Sequence, residues 1–518
     1  MNRLSPALLV SLPAAVARPS YAREVLLPRI VHLGIGAFAR AHLASVNDIS
    51  IEQGSAERWS IAGVSLRSGD TRNALRPQAG LYTLALRDAP NRNPREQLRV
   101  IGNLTELMVA PEDPAAVLRR IAAEATAIVS LTVTEKGYCR NPASGALLHD
   151  HPDIAHDVLH AEAPRSAIGF VVRGLQMRRE SGLGPLALMS LDNLPSNGDL
   201  LRSLTVDFAA QIDEALAAWI ERECSFPNAM VDRIVPRTTA ADREAISKSL
   251  GCTDAWPVVS EPALEWAVED RFVAGRPDWH LGGARFVESA APFERAKLRV
   301  VNACHSALAY LAASAGVATV DAALSMPGMR SYLRRLVDEE IGPGLGPIPG
   351  VDIGDFRDRM LARFDNPALA HQTHQIAMDG SQKLPQRLLG SLRERLARKQ
   401  SVELLALAVA AWFRYLDGVD DLGCAYPVRD PLCASLTERA KRARTLVEAE
   451  PDQAAAERLR ARELLSCAAV FGDLGDSAAL AEQVAVHGLS FRSRGVAGTL
   501  EQLGVAGGGE PCTGTAST

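Results

Sequence analysis

Residues 29–42 read RIVHLGIGAFARAH, and this stretch decides the fold. The run RIVHL is short, rich in β-branched residues and apolar, as a buried strand must be. It ends at Gly34-Ile35-Gly36, after which alanines, Phe38 and Arg40 favour a helix. Two glycines permit a tight turn and let backbone N–H groups approach a diphosphate at a helix N-terminus. The third glycine usual in such loops is replaced by Ala39, which close helix packing tolerates. Taken alone, Gly-x-Gly after a strand serves equally well as a plain turn. Its place at the head of an alternating pattern favours a dinucleotide.

That alternation continues outward. Apolar runs at 60–66 (SIAGVSL), 127–133 (AIVSLTV), 168–172 (IGFVV) and 185–190 (PLALMS) are expected strands, with helical patterns between several of them. Strands alternating with helices imply a parallel, doubly wound α/β sheet. From Ser289–Pro292 onward the pattern turns helical, with expected helices at 292–314, 327–340, 352–363, 384–398, 401–416, 434–449 and 453–471. The domains expected are therefore 1–288, 289–505 and a glycine-rich, disordered tail over 506–518.

Composition narrows the function. The chain has 518 residues, a formal net charge of −5 and 47% hydrophobic residues. The charge argues against a nucleic-acid binder, and no apolar run reaches the length of a membrane span. Eight cysteines lie scattered without a CxxC pair, which suits reduced thiols in a cytoplasm. The opening MNRLSPALLVSLPAAVARPSY has the basic start and short apolar run of a secretory signal. Pro13 interrupts the run and a strand follows closely, so no signal is expected. A small-molecule substrate and a monomer or homodimer fit these bounds.

Chemistry concentrates in four places. In LRSGDTR (66–72), Asp70 is placed to hold ribose hydroxyls, while Arg67 and Arg72 could instead accept a 2′-phosphate, leaving NAD against NADP open. In SLDNLPSNG (190–198), Asp192 and Asn193 follow a strand, where α/β sheets hold ligands; turn-forming composition explains them as well. In AKLRVVNACHSALAYL (296–311), a helical wheel puts Lys297 at about 0°, His305 near 80° and Asn302 near 140°. Leu308, Val301 and Leu298 fall at about 20°, 40° and 100°, so an amine, an amide and an imidazole sit inside the apolar stripe of an amphipathic helix. A buried lysine must pair, reach water or lose its proton, and a neutral amine is a competent general base. In QIAMDGSQKLPQRLL (375–389), Lys383 and Arg387 are either solvated charges or fixed cations for an acidic substrate. No HExxH or thiolate cluster suggests a metal, and none is expected.

Taken in order, IVHLGIGAFARAH, VSLTVTEKGY, DNLPSNG, MVDRIVP, WAVEDRFVAGRP, PFERAKLRVVNACHS and RFDNPALAHQTHQIAMDGSQKLPQR resemble the polyol-specific long-chain dehydrogenase/reductase, or mannitol dehydrogenase, family over about residues 26–495. The resemblance implies an N-terminal Rossmann-type domain, a helical C-terminal domain, an active site between them and no zinc. It carries the family's catalytic lysine to Lys297, its polarising asparagines to Asn193 and Asn302, and its orienting histidine to His305. A proton-gating glutamate falls on Glu294, a nicotinamide-side aspartate on Asp232 and a substrate lysine on Lys383. Gly34, Ile35, Gly36, Phe38, Arg40 and Asp70 are the remaining expected NAD contacts. Members acting on neutral polyols carry arginine where this chain has Gln375. HQTHQIAMDGSQKLPQR instead resembles the fructuronate reductase branch, which implies reduction of D-fructuronate to D-mannonate. Arg387 or Lys383 would then meet the carboxylate. Mannitol/fructose or arabinitol oxidoreduction, and a non-catalytic dinucleotide sensor, are the alternatives.

Overall fold

Alternate side chains of five short strands feed two separate apolar layers, which is why they form a sheet buried on both faces. The strands are Leu27–Leu33 (β1), Trp59–Ser65 (β2), Leu104–Val109 (β3), Ile128–Leu131 (β4) and Ala187–Ser190 (β5), all parallel, in the order β3-β2-β1-β4-β5. Val31, Leu33, Val64, Val129 and Leu188 pack with the helices Pro114–Ala122, Ala167–Glu180 and Asn197–Ala210. Ile30, Ile61, Ile128 and Met189 face the other way, toward Leu43 and Val46 of the helix Leu43–Glu52. The order reverses between β1 and β4, the switch point where such sheets bind ligands. The doubly wound α/β fold inferred from the sequence is therefore the one observed.

The structure, a computed structural model, describes residues 1–141 and 144–506, apart from the side chains of residues 91, 505 and 506. Beyond residue 506 the expected tail lies outside the described residues. Two compact units are present: Met1–Asp88 with Arg95–Glu294, and Ala89–Pro94 with the chain from Arg295 onward. The first also holds two small sheets. One pairs Tyr82–Asp88 with Arg95–Ile101 and Val258–Ser260; the other pairs Glu265–Glu269 with Ala229–Asp232 and Arg285–Val287. Leu4, Leu12 and Val16 are buried in a cluster with Leu81, Val100 and Ile246, so the signal-like opening segment is part of a core.

One strand expectation needs correction. IGFVV at 168–172 is helical, within Ala167–Glu180. The Ser166 hydroxyl caps that helix by accepting the Gly169 N–H, worth about 1 kcal/mol. A five-residue apolar run cannot by itself distinguish a buried strand from a buried helix turn. Conversely β3, with the mixed sequence LTELMV, is a sheet strand without a strong apolar signal, because it is an edge strand and half-exposed.

In the second unit the described residues contain no strand, and helices do all the packing. The segment from Ala291 to Ser314 is not the uniform amphipathic α-helix expected. Ala291–Ala296 is α-helical, Lys297–Asn302 is a π-helical turn and Ala303–Ser314 is α-helical again. Every residue of Ala303–Ser314 except His305 is buried, with Glu403–Tyr415 and Thr373–Ala377 packed against it. A helix apolar all round belongs at the centre of a bundle rather than on its surface. Among the described residues no helix is long and apolar enough to cross a membrane, and the seven described cysteines are free thiols.

Candidate active site

In the first unit the two glycines of the loop after β1 do different work. Gly34 has φ +98°, and a Cβ there would lie 2.1 Å from the carbonyl oxygen of Thr132, at the end of β4. Only glycine fits that crossing. Gly36 has an ordinary φ of −79°, and a Cβ would come no closer than 3.8 Å to Gly34 O. Neither backbone nor packing demands glycine at Gly36. A bare main chain at this position is what a dinucleotide's diphosphate would need in order to approach it. Gly36 opens onto a cavity of about 720 Å³ whose walls include Ala37, Arg40, Thr71, Thr238 and Trp256. A space of this size suits a cofactor.

The other expected nucleotide residues belong to the same unit as this loop. Arg40 is buried; its guanidinium donates to Gly36 O at 3.3 Å and Trp256 O at 2.5 Å, fixing the loop from behind. Burial pushes Arg40 down to about 10, which leaves it charged at neutral pH. Ile35 is buried, and Phe38 stacks on His42 with ring centres 5.1 Å apart. Asp70 is exposed at the start of the helix Asp70–Leu75, accepting the Ser68 hydroxyl at 2.9 Å. Arg72, which could have taken a 2′-phosphate, makes a two-pronged pair with Glu112 at 2.5 and 3.0 Å. Asp232 closes the strand Ala229–Asp232, and the adjoining Arg233 is buried, donating to Ala41 O and Glu261 O.

At the carboxyl ends of β4 and β5, Asp192 acts as a clamp. Its carboxylate accepts the N–H groups of Val133 and Thr134 and the Tyr138 hydroxyl, all within 2.9 Å. Burial raises its pKa. Thr134 is held there at φ +63°, an uncommon conformation for a threonine. Asn193 follows, exposed, on the loop to Asn197–Ala210. Glu294 reaches the same loop, its carboxylate accepting the Ser196 N–H at 3.0 Å. The structure thus joins Glu294 to the Asn193 loop.

In the second unit, Lys297 and Asn302 begin and end the π turn, with exposures of 7% and 8%. The Ala303 N–H donates five residues back, to Leu298 O. That wider spacing moves the side chains away from their α-helical wheel positions and sets Lys297 and Asn302 one turn apart. A π turn disturbs the bonding of nearby carbonyls, and Arg387 serves one of them. Its Nη1 donates to Asn302 O at 3.3 Å and Ser306 Oγ at 2.9 Å. On the solvent side Arg299 pairs with Glu394 at 2.6 and 2.8 Å. Lys383 donates to Ile376 O at 3.1 Å, and Gln375 is exposed beside it on Thr373–Ala377.

His305 is one turn beyond Asn302, stacked on Phe364 (4.2 Å, 18°) and edge-on to His371 (5.3 Å, 83°). Sequence reasoning did not single out His371. It is 66 residues from His305 (371 − 305), so no helical spacing could join them. Elsewhere Cys139, His151 and Asp153 bring potential metal-ligand atoms within 4.8 Å of one another. None of these three is among the expected site residues.

Comparison with known proteins extends the pattern. Residues 28–281 match the mannitol dehydrogenase Rossmann domain and 289–489 the mannitol dehydrogenase C-terminal domain. The chain is 44% identical over 423 residues to D-mannonate oxidoreductase of Escherichia coli K12, covering 81% of this chain and 86% of that one. A mannitol dehydrogenase of Saccharomyces cerevisiae is 39% identical over 436 residues, covering 83% and 86%. Mannitol 2-dehydrogenase of Pseudomonas fluorescens, solved as a ternary complex with NAD and D-mannitol, superposes with a TM-score of 0.82 at 35% identity, covering 97% and 99%. With both domains matched in order, and relatives this similar along most of their length, the chain belongs to the mannitol dehydrogenase family.

Proposed function

We propose that this protein is an NAD-dependent oxidoreductase of sugar acids and polyols that interconverts a ketone and a secondary alcohol, with D-fructuronate and D-mannonate as its pair. The observation that carries this reading is the burial of Lys297 on one helix with Asn302 and His305. A sensor that merely bound a dinucleotide would need the glycine loop but not an amine removed from water.

When bound, a nicotinamide would supply the hydride for reduction and accept it in oxidation. In reduction, the Lys297 ammonium donates its proton to the substrate carbonyl oxygen as the carbon gains hydride. In oxidation the neutral amine takes the hydroxyl proton back. The amides of Asn193 and Asn302 donate to the oxygen as charge develops, an effect worth roughly 2.7–4 kcal/mol per donor in well-studied sites. His305 hydrogen-bonds a neighbouring hydroxyl. Glu294 passes the proton onward to water.

The acid is favoured over a neutral sugar on two grounds: the 44% identity to a D-mannonate oxidoreductase, and Gln375 at the position of the polyol branch's arginine. Lys383 is the cation assigned to the carboxylate, because the family's substrate lysine falls on its position. NAD is favoured over NADP because Arg72, one of the two arginines beside Asp70, is paired with Glu112. Following NADH absorbance with D-fructuronate, D-fructose and other ketoses tests the whole reading. Rapid decay with fructuronate is expected, and decay with none of them would overturn it. Gln375→Arg is expected to shift the fructuronate-to-fructose ratio of kcat/KM toward fructose; an unchanged ratio removes the branch assignment.

A further inference from the structure

The cavity onto which Gly36 opens is lined by Arg40, Arg237 and Arg243, and among the described residues that line it none is an acid. Other arginine-lined cavities differ. In one of the second unit Arg460 meets Asp417 at 3.0 Å, and in one beside β3 Arg72 meets Glu112. Arg237 is exposed, and its side chain makes no hydrogen bond or ion pair with a described residue. Arg243 likewise has no acid partner; its guanidinium lies over the Trp256 ring, with Cζ 5.9 Å from the ring centre. Asp242, which stands between the two in the chain, is occupied. Its carboxylate accepts the Thr239 N–H and hydroxyl and pairs with Arg87 at 2.5 Å. Cations gathered without an acid repel one another, and a cavity lined by one sign of charge draws an anion. Guanidinium forks fit phosphate oxygens in particular. At about 720 Å³, with the bare Gly36 main chain and the Trp256 ring on its walls, the cavity suits an anion that is part of a larger molecule.

We propose that Arg237 and Arg243 are the cations that hold the diphosphate of the bound dinucleotide, reaching it from a segment of chain outside the glycine loop. The proposal rests on the reading that this cavity is the nucleotide's. It adds a charged contact that the loop, with only main-chain N–H groups to offer, does not supply. Neither arginine belongs to a motif read in the sequence; Arg237 directly follows MVDRIVP (230–236).

The test titrates the full chain with NADH, NADPH and ADP at low and high salt, comparing wild type with the double variant Arg237→Gln/Arg243→Gln. The double variant should bind NADH and ADP at least about tenfold more weakly at low salt. It should also lose less affinity than wild type when salt is added, because two screened charges are gone. Arg243→Lys, which keeps the charge and loses the fork, should fall between them. Wild-type affinity of the double variant for NADH and ADP overturns the proposal. So does a loss confined to NADPH, which moves the arginines to a 2′-phosphate. If the double variant does not fold, Arg237→Gln alone is read in its place, since that side chain is exposed and unbonded. Gly36→Val separates this proposal from the reading beneath it. NADH binding weakened by Gly36→Val but not by the arginine variants defeats the diphosphate clamp alone. NADH binding altered by neither removes the nucleotide from the cavity, and a wild type that binds none of the three nucleotides defeats both.

Discussion

The loop after β1 and the helix carrying Lys297 both present candidate site residues, and they do so by opposite means. At the loop, small residues clear space: Gly34 lets two strands' ends cross, and Gly36 leaves the main chain bare toward a cavity. At the helix, polar residues are forced into space already filled. Lys297 and Asn302 are buried, the α-helical register is broken into a π turn, and Arg387 bonds a carbonyl at its end. The first arrangement is local and follows from four or five residues. The second holds only because distant segments close around it.

This contrast can be broken most sharply at Lys297. Lys297→Ala should lower turnover by about 10³-fold or more while NADH affinity stays near wild type. Near-normal turnover would remove the amine from the chemistry. The glycines give the next largest effect, and a divided one. Gly34→Ala should fail to fold, because its Cβ meets Thr132 O. Gly36→Val should fold with an unchanged melting temperature yet bind NADH about 100-fold more weakly. Equal NADH binding by Gly36→Val and wild type would mean that the cavity is not the nucleotide's.

A pH effect from the strand feeding the loop comes third. His32, fully buried between the hydroxyls of Ser130 and Thr132, is pushed down by burial to about 4 from an ordinary 6.5. The unfolded chain therefore binds more protons between those values, and stability present above about pH 6.5 is lost as pH falls toward 4. From about pH 7.5 to 5 the loss is about 2 kcal/mol. Asp48, raised to about 6 by burial, acts in the opposite sense but equally in both proteins when wild type is compared with His32→Asn. The variant's denaturation midpoint should fall less over that interval, and parallel pH curves would exclude His32 as the source. Smallest is Arg387→Met, expected to lower kcat about tenfold with the fold intact, by freeing the Asn302 carbonyl. An unaltered kcat would show that the π turn holds Asn302 without help.

Legibility followed the same divide. RIVHL, SIAGVSL, AIVSLTV and PLALMS were readable as strands because burial on both faces leaves a run of apolar residues with no periodic exception. IGFVV carried the same signal and is helical, because Ser166 caps the turn and the run is short. LTELMV gave little signal because an edge strand is half-wet. Lys297, Asn302 and His305 stood out as polar residues within one apolar stretch. Their surroundings did not: His371 and Phe364 reach His305 from 66 and 59 residues away (371 − 305; 364 − 305).

The order of residues alone determined the alternating sheet, the glycine loop at its switch point, the change to an all-helical second half and the short list of chemically able side chains. These depend on spacing and local conformation, which a chain carries within a few residues. Tertiary structure alone decided that Lys297–Asn302 winds as a π turn, that Arg387 serves the Asn302 carbonyl, that Arg72 is occupied by Glu112 and that His371 faces His305. Each of these depends on desolvation and hydrogen bonding between residues far apart in the chain, and neither exists until the core has closed.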